Sequence, residues 1–65
     1  MELYFKTRKE KRLISSPKDE DDALNNIYKF CEERNFTIYY IRSWEEDDCK
    51  IFDVGSHTEF FHLKK

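Results

Sequence analysis

The chain has 65 residues, a formal net charge of −2, and six Phe, four Tyr and one Trp against a single Ala, Gly and Pro. A domain of this length buries only about 60% of its unfolded surface, so residues 1–65 form one small domain that leans on its aromatics, or on a second copy, for a core. No run approaches the ~20 apolar residues a membrane span needs, and two widely spaced cysteines are not a secreted disulfide framework.

Charge is unevenly spread. Residues 1–18 carry six Lys/Arg against two Glu, and residues 19–53 carry eleven acids against four bases. Only the N-terminal segment therefore offers a basic stripe of the kind nucleic acid selects. Leu3-Tyr4-Phe5-Lys6-Thr7-Arg8 alternates as a strand, and Lys9-Glu10-Lys11 turns the chain into a second short strand, Arg12-Leu13-Ile14-Ser15. One long irregular strand over 3–14 is the alternative.

Ser16-Pro17-Lys18-Asp19 reads as a helix start, with Ser16 as N-cap, Pro17 at the first helical position and Asp19 in the capping-box position. The following Glu20, Asp21 and Asp22 place negative charge where the helix dipole favours it. Ala23, Leu24, Ile27, Phe30 and Cys31 recur at helical spacing, and Asn35 suits a left-handed terminator. The spacing predicts one helix over about 17–34.

Phe36-Thr37-Ile38-Tyr39-Tyr40-Ile41-Arg42-Ser43-Trp44 has strand composition. Glu45-Glu46-Asp47-Asp48 reads as a four-residue hairpin loop, since neither the ligand spacing nor the central glycine of a calcium loop is present. Two alternating runs follow, 49–54 and 57–63, separated by Gly55-Ser56, a signal for a type II′ turn. With those turns Val54 faces His57, Ile51 faces Phe60, Cys49 faces His62, Trp44 faces Cys49, and Tyr40 faces Asp53. Period-two alternation then sorts the side chains. One face holds Tyr39, Ile41, Phe52, Val54, Phe61 and Leu63, which we assign to the helix side with Leu3 and Phe5. The other face holds Ile38, Tyr40, Arg42, Trp44, Cys49, Ile51, Asp53, Thr58, Phe60 and His62. A one-residue slip would exchange the faces.

The expected fold class is α+β: a small antiparallel sheet of three to five strands with one helix packed on one face, in the order β(β)αββ with a final strand. Small monomers seldom leave a contiguous aromatic patch in water, and aromatic and Arg residues are enriched at binding hot spots. The expected site is accordingly a binding surface of Tyr40, Arg42, Trp44, Ile51, Phe60 and His62. The expected partner is another protein, with homodimerisation as a variant. Single-stranded nucleic acid is the alternative: Tyr40, Phe60 and Trp44 would stack bases, with Arg42 and the basic first strand on phosphates.

Cys49, Asp53 and His62 share the open face, but no oxyanion loop or glycine-rich elbow accompanies them, so no catalytic residue and no enzyme activity are expected. His57 and His62 have a zinc-finger-like gap without any CxxC, so no metal or other cofactor is expected. The N-terminus lacks the basic start and apolar run of a signal peptide, which makes the cytoplasm the expected compartment, with both cysteines as free thiols.

The order strand, acidic-capped helix, aromatic hairpin resembles very small regulators that bind bacterial RNA polymerase, such as the epsilon subunit of Gram-positive polymerases and compact phage-encoded inhibitors. The likeness spans about residues 17–63, with Asn35-Phe36-Thr37-Ile38 and Ser56, Phe60 and Leu63 as its local matches. It assigns no functional residues. It implies a bacterial, phage or prophage setting and a partner within host machinery. The Lys-, Glu-, Asn- and Ile-rich composition, like that of AT-rich genomes, points the same way.

Overall fold

The computed structural model describes residues 1–65. The elements run β1 (Glu2–Lys6), β2 (Lys11–Ser15), α1 (Glu20–Glu33), β3 (Arg42–Glu46), β4 (Cys49–Asp53) and β5 (Phe60–Lys64). The five strands form one sheet in the order β2-β1-β5-β4-β3, every neighbouring pair antiparallel, so the fold is α+β. The first fifteen residues form a hairpin. Thr7 closes its loop by accepting the Lys9 and Glu10 amides on Oγ1 and donating its own amide to the Glu10 carbonyl at 2.8 Å.

The helix starts later than the sequence predicts. Asp19, not Ser16, is the N-cap: its carboxylate accepts the Asp22 amide at 2.8 Å, and Asp22 accepts the Lys18 amide in return. Two carboxylates, one satisfying an orphan helix amide and the other the amide just ahead of the cap, outcompete one hydroxyl, and Pro17 is left buried ahead of the helix. The C-terminus closes on Asn35 at φ 58°. The Phe36 amide bonds the Cys31 carbonyl at 2.9 Å and the Asn35 amide bonds the Glu32 carbonyl at 3.3 Å. This is a Schellman closure, and its usual apolar contact is supplied by the Phe36 ring 6.4 Å from Phe30.

The stripe Ala23, Ile27, Phe30 and Cys31 is buried in one cluster with Leu3, Phe5, Phe52, Val54, Phe61 and Leu63 of the sheet and its margin. Phe5, Phe30 and Phe61 form its centre, with ring centroids 4.8 to 5.7 Å apart. Aromatic pairs at such spacing add about 0.5–1.5 kcal/mol each beyond their buried area. Lys50, also on the helix side, reaches Glu20 in the first helical turn at 3.0 Å.

Both predicted hairpin turns differ from expectation. The acidic turn shrinks to Asp47-Asp48, because Glu46 pairs with Cys49, Trp44 with Ile51 and Arg42 with Asp53. Asp47 takes the positive φ, 54°, that a two-residue connection demands. The Gly55-Ser56 turn expands to a loop over 54–59, because Phe52 pairs with Phe61 and Ile51 with His62. Each register is displaced by two residues. An even displacement preserves side-chain parity, so Phe52, Phe61 and Leu63 point to the helix as expected. It also separates Cys49, which pairs with Lys64, from His62.

Gly55 keeps its importance for a different reason. It sits at φ +94°, and a Cβ placed there would meet the Cβ of Tyr39 at 2.8 Å. Its amide donates to Asp53 Oδ1 at 2.9 Å, an Asx turn that ends β4.

The predicted strand over 36–44 is half connector. Residues 36–41 are irregular and cross the end of the sheet, held by the Tyr39 amide on the Val54 carbonyl at 3.0 Å. Ile38 and Ile41 pack against the core while Tyr39 stands 74% exposed. The expected assignment of Ile38 to the open face and Tyr39 to the core is thus reversed, since alternation has no meaning outside a strand.

Candidate functional site

On the face away from the helix, the register aligns one row across all five strands. Leu13 of β2 pairs with Tyr4 of β1, Tyr4 with His62 of β5, His62 with Ile51 of β4, and Ile51 with Trp44 of β3. At the usual strand spacing this row, apolar except for His62, is roughly 19 Å long. A row on one side pairs Lys11 with Lys6 and Lys6 with Phe60, and farther across pairs Asp53 with Arg42. On the other side, Glu2 and Cys49 pair with Lys64, and Cys49 with Glu46.

The six residues expected to form the binding surface do not play equal parts. Trp44, 38% exposed, meets the Phe60 ring edge-on at 6.3 Å and donates its indole N–H to Glu46 at 3.2 Å. Ile51, by contrast, is only 3% exposed and belongs to the underlying packing rather than to the contact surface. Its neighbours in the row, Trp44 and His62, are larger and flank it. Tyr40 lies on the connector rather than in β3, and does not pair with Asp53 as a strand residue. Its ring still reaches the same corner of the face, 5.6 Å from the Arg42 guanidinium. The Arg42 group also lies 5.8 Å from Trp44 and bonds Asp53 at 2.8 Å.

Electrostatics follow from this packing. Burial alone would push the Asp53 carboxyl up. The Gly55 amide, the Arg42 guanidinium and the Tyr40 hydroxyl outweigh burial and hold the carboxyl below its ordinary value. Burial, then the charges of Lys11 and Lys6, lower the affinity of His62 for a proton. Lys6, Arg8, His57, Phe60 and His62 border one shallow hollow at this end of the face, giving it a cationic rim. Cys31 is buried, and burial raises its thiol above the usual range, which disfavours a reactive thiolate. His57 and His62 do not converge with either cysteine in any cluster of three potential metal ligands.

Two contributors escaped the sequence reading. Tyr4 and Leu13 join the row only because β1 lies beside β5, a long-range pairing that local pattern does not encode. The available signal was the alternation of Leu3-Tyr4-Phe5-Lys6, which turns Tyr4 outward once Leu3 and Phe5 are core. Compared with family models, with curated proteins and with solved structures, the chain matches none. No helix is long and apolar enough to cross a membrane.

Proposed function

We propose that this is a non-enzymatic binding module that docks a protein partner on the uncovered sheet face. The observation that carries the reading is the Leu13–Tyr4–His62–Ile51–Trp44 row, in which exposed Leu13 and Trp44 and half-buried Tyr4 and His62 surround buried Ile51, with Lys6 and Lys11 along one side. Trp44, Phe60 and Tyr40 are the anchors, and Arg42, already oriented by Asp53, supplies a directional donor. Glu46 is occupied by the Trp44 indole and Asp53 by Arg42, whereas Lys6 has no acidic partner within salt-bridge distance. The face therefore favours a partner with an apolar strip and carboxylates toward β1 and β2. The resemblance to polymerase-binding regulators makes bacterial RNA polymerase the first partner to assay, in a cytoplasmic bacterial or phage setting.

The cationic rim beside Phe60 and His62 favours one second reading, single-stranded nucleic acid stacked on Phe60, Trp44 and Tyr40. One pair of measurements separates the two. Trp44 is the only tryptophan, so its fluorescence reports occupancy of the face directly. Capture of a specific protein by the wild type, lost in a folded Trp44→Ala/Phe60→Ala variant, supports the first reading. Retention of every partner by that variant sinks it. Oligonucleotide quenching of Trp44 that weakens steeply with salt would establish the second.

A further inference from the structure

A cleft of about 590 Å³ opens beside the C-terminus of α1, between the 36–41 connector and the 54–59 loop. Its floor is apolar and belongs to the core: Phe5, Val54 and Phe61 are each less than 10% exposed. Its walls include the exposed rings of Phe36, Tyr39 and Tyr40. No lysine or arginine lines it; Glu59 is its one carboxylate and His57 its one imidazole.

Glu59 is held in place yet carries no counter-ion. The Ser56 and Thr58 hydroxyls both donate to its Oε2, the second at 2.5 Å. Those bonds hold its carboxyl below the ordinary range, so the group is ionised at neutral pH. The four ion pairs of the chain leave it out. Lys6 and Arg8 line the neighbouring hollow with His57 and Thr58, yet neither forms an ion pair with Glu59. A ring face turned toward a cation attracts it through the ring quadrupole, so the tyrosine walls and the Glu59 carboxylate together offer a cation two kinds of attraction above an apolar floor. The volume also lies within the range of small-molecule sites, about 300–1,000 Å³, and exceeds what one inserted side chain fills.

We propose that this cleft binds a small organic cation, an alkylammonium or quaternary ammonium whose head meets Glu59 and the tyrosine rings while its apolar body covers Phe5, Val54 and Phe61. The site lies off the sheet face and shares only Tyr40 and His57 with it, so either assignment stands without the other.

The test titrates ¹⁵N-labelled protein with hexyltrimethylammonium, with hexanol and with hexanoate, following backbone amide shifts. The expected result is saturable shifts at Tyr39, Val54, Gly55 and Ser56 with the cation, and affinity at least about ten-fold weaker for the neutral and anionic probes. Glu59→Gln keeps a carbonyl oxygen for the Ser56 and Thr58 hydroxyls but removes the charge. Tyr39→Leu removes a largely exposed ring. Each is expected to weaken the cation by about five-fold or more while leaving the remaining spectrum in place. Equal binding of the three probes, unchanged affinity in both variants, or shifts confined to the sheet face would overturn the proposal. So would tight binding of a lysine-containing peptide with no response to hexyltrimethylammonium.

Discussion

Asp53 is 4% exposed and ties together the end of β4, the Gly55 turn and the Arg42 side chain. A buried carboxylate is tolerable only with such donors, because stranding a charge away from water costs several kcal/mol. Its folded-state proton affinity is depressed relative to the ordinary value of 3.8. The stabilisation it gives is therefore complete above about pH 4 and is lost as pH falls through and below that value. Glu59, depressed from 4.5, adds a loss of the same sign, and His62, depressed from 6.5, begins one at higher pH by favouring the proton-free folded state. Urea denaturation read by Trp44 is expected to show stability declining below about pH 6.5 and falling more steeply below pH 4. Asp53→Asn is expected to lose about 1–3 kcal/mol at neutral pH, because Arg42 and the turn lose a charged acceptor. The variant's steep acid limb is also expected to be shallower. An Asp53→Asn curve parallel to wild type from pH 5 to 2 would remove this assignment.

Among the elements, the β3–β4 connection carries the clearest local cost. Asp47 occupies left-handed backbone at φ 54°, where an L-residue pays about 1–2 kcal/mol and glycine pays none; Asp lies toward the low end because its short polar side chain tolerates the region. Glu46 and Asp48 flank it with like charge. Asp47→Gly relieves that backbone cost but gives the unfolded chain more freedom, so it is expected to raise the unfolding free energy by no more than about 0.5 kcal/mol without moving the β3–β4 register, as judged by denaturation and cross-strand nuclear Overhauser contacts. A loss of about 1 kcal/mol or more, the full entropic cost of the glycine, would show that the turn conformation carries no penalty. The same turn marks the limit of what local pattern encodes. Acidic repulsion makes four residues look like loop, yet Glu45 pairs with Lys65 at 2.6 Å and Glu46 accepts from Trp44, so strand pairing continues through two of them. The helix shows the same competition at its start, where reciprocal carboxylate caps displaced the serine. Residues 36–41 show it again, because strand propensity does not register that Ile38 and Ile41 must reach back to the core.

For the whole molecule, parity was legible where offset was not. Alternation alone put Phe52, Phe61 and Leu63 under the helix and Trp44, Phe60 and His62 on the other side, and a displacement by two residues left that division intact. Tyr4 and Leu13 join the row only through β1 lying beside β5, which no local signal announces, and the burial of Ile51 follows from the two-residue offset that sets Trp44 and His62 on either side of it. The division into two faces has an energetic consequence. A domain below about 70–80 residues seldom holds more than ~3–5 kcal/mol, and truncating a core Phe to Ala removes about that much. Phe61 is 1% exposed and contacts both Phe5 and Phe30, so Phe61→Ala is expected to be largely unfolded at 25 °C by far-ultraviolet circular dichroism. Trp44 lies on an edge strand and is partly exposed, so Trp44→Ala is expected to cost about 1 kcal/mol and stay folded. If the two variants lose comparable stability, Trp44 is core rather than surface, and the open face is a second hydrophobic layer instead of a place to bind.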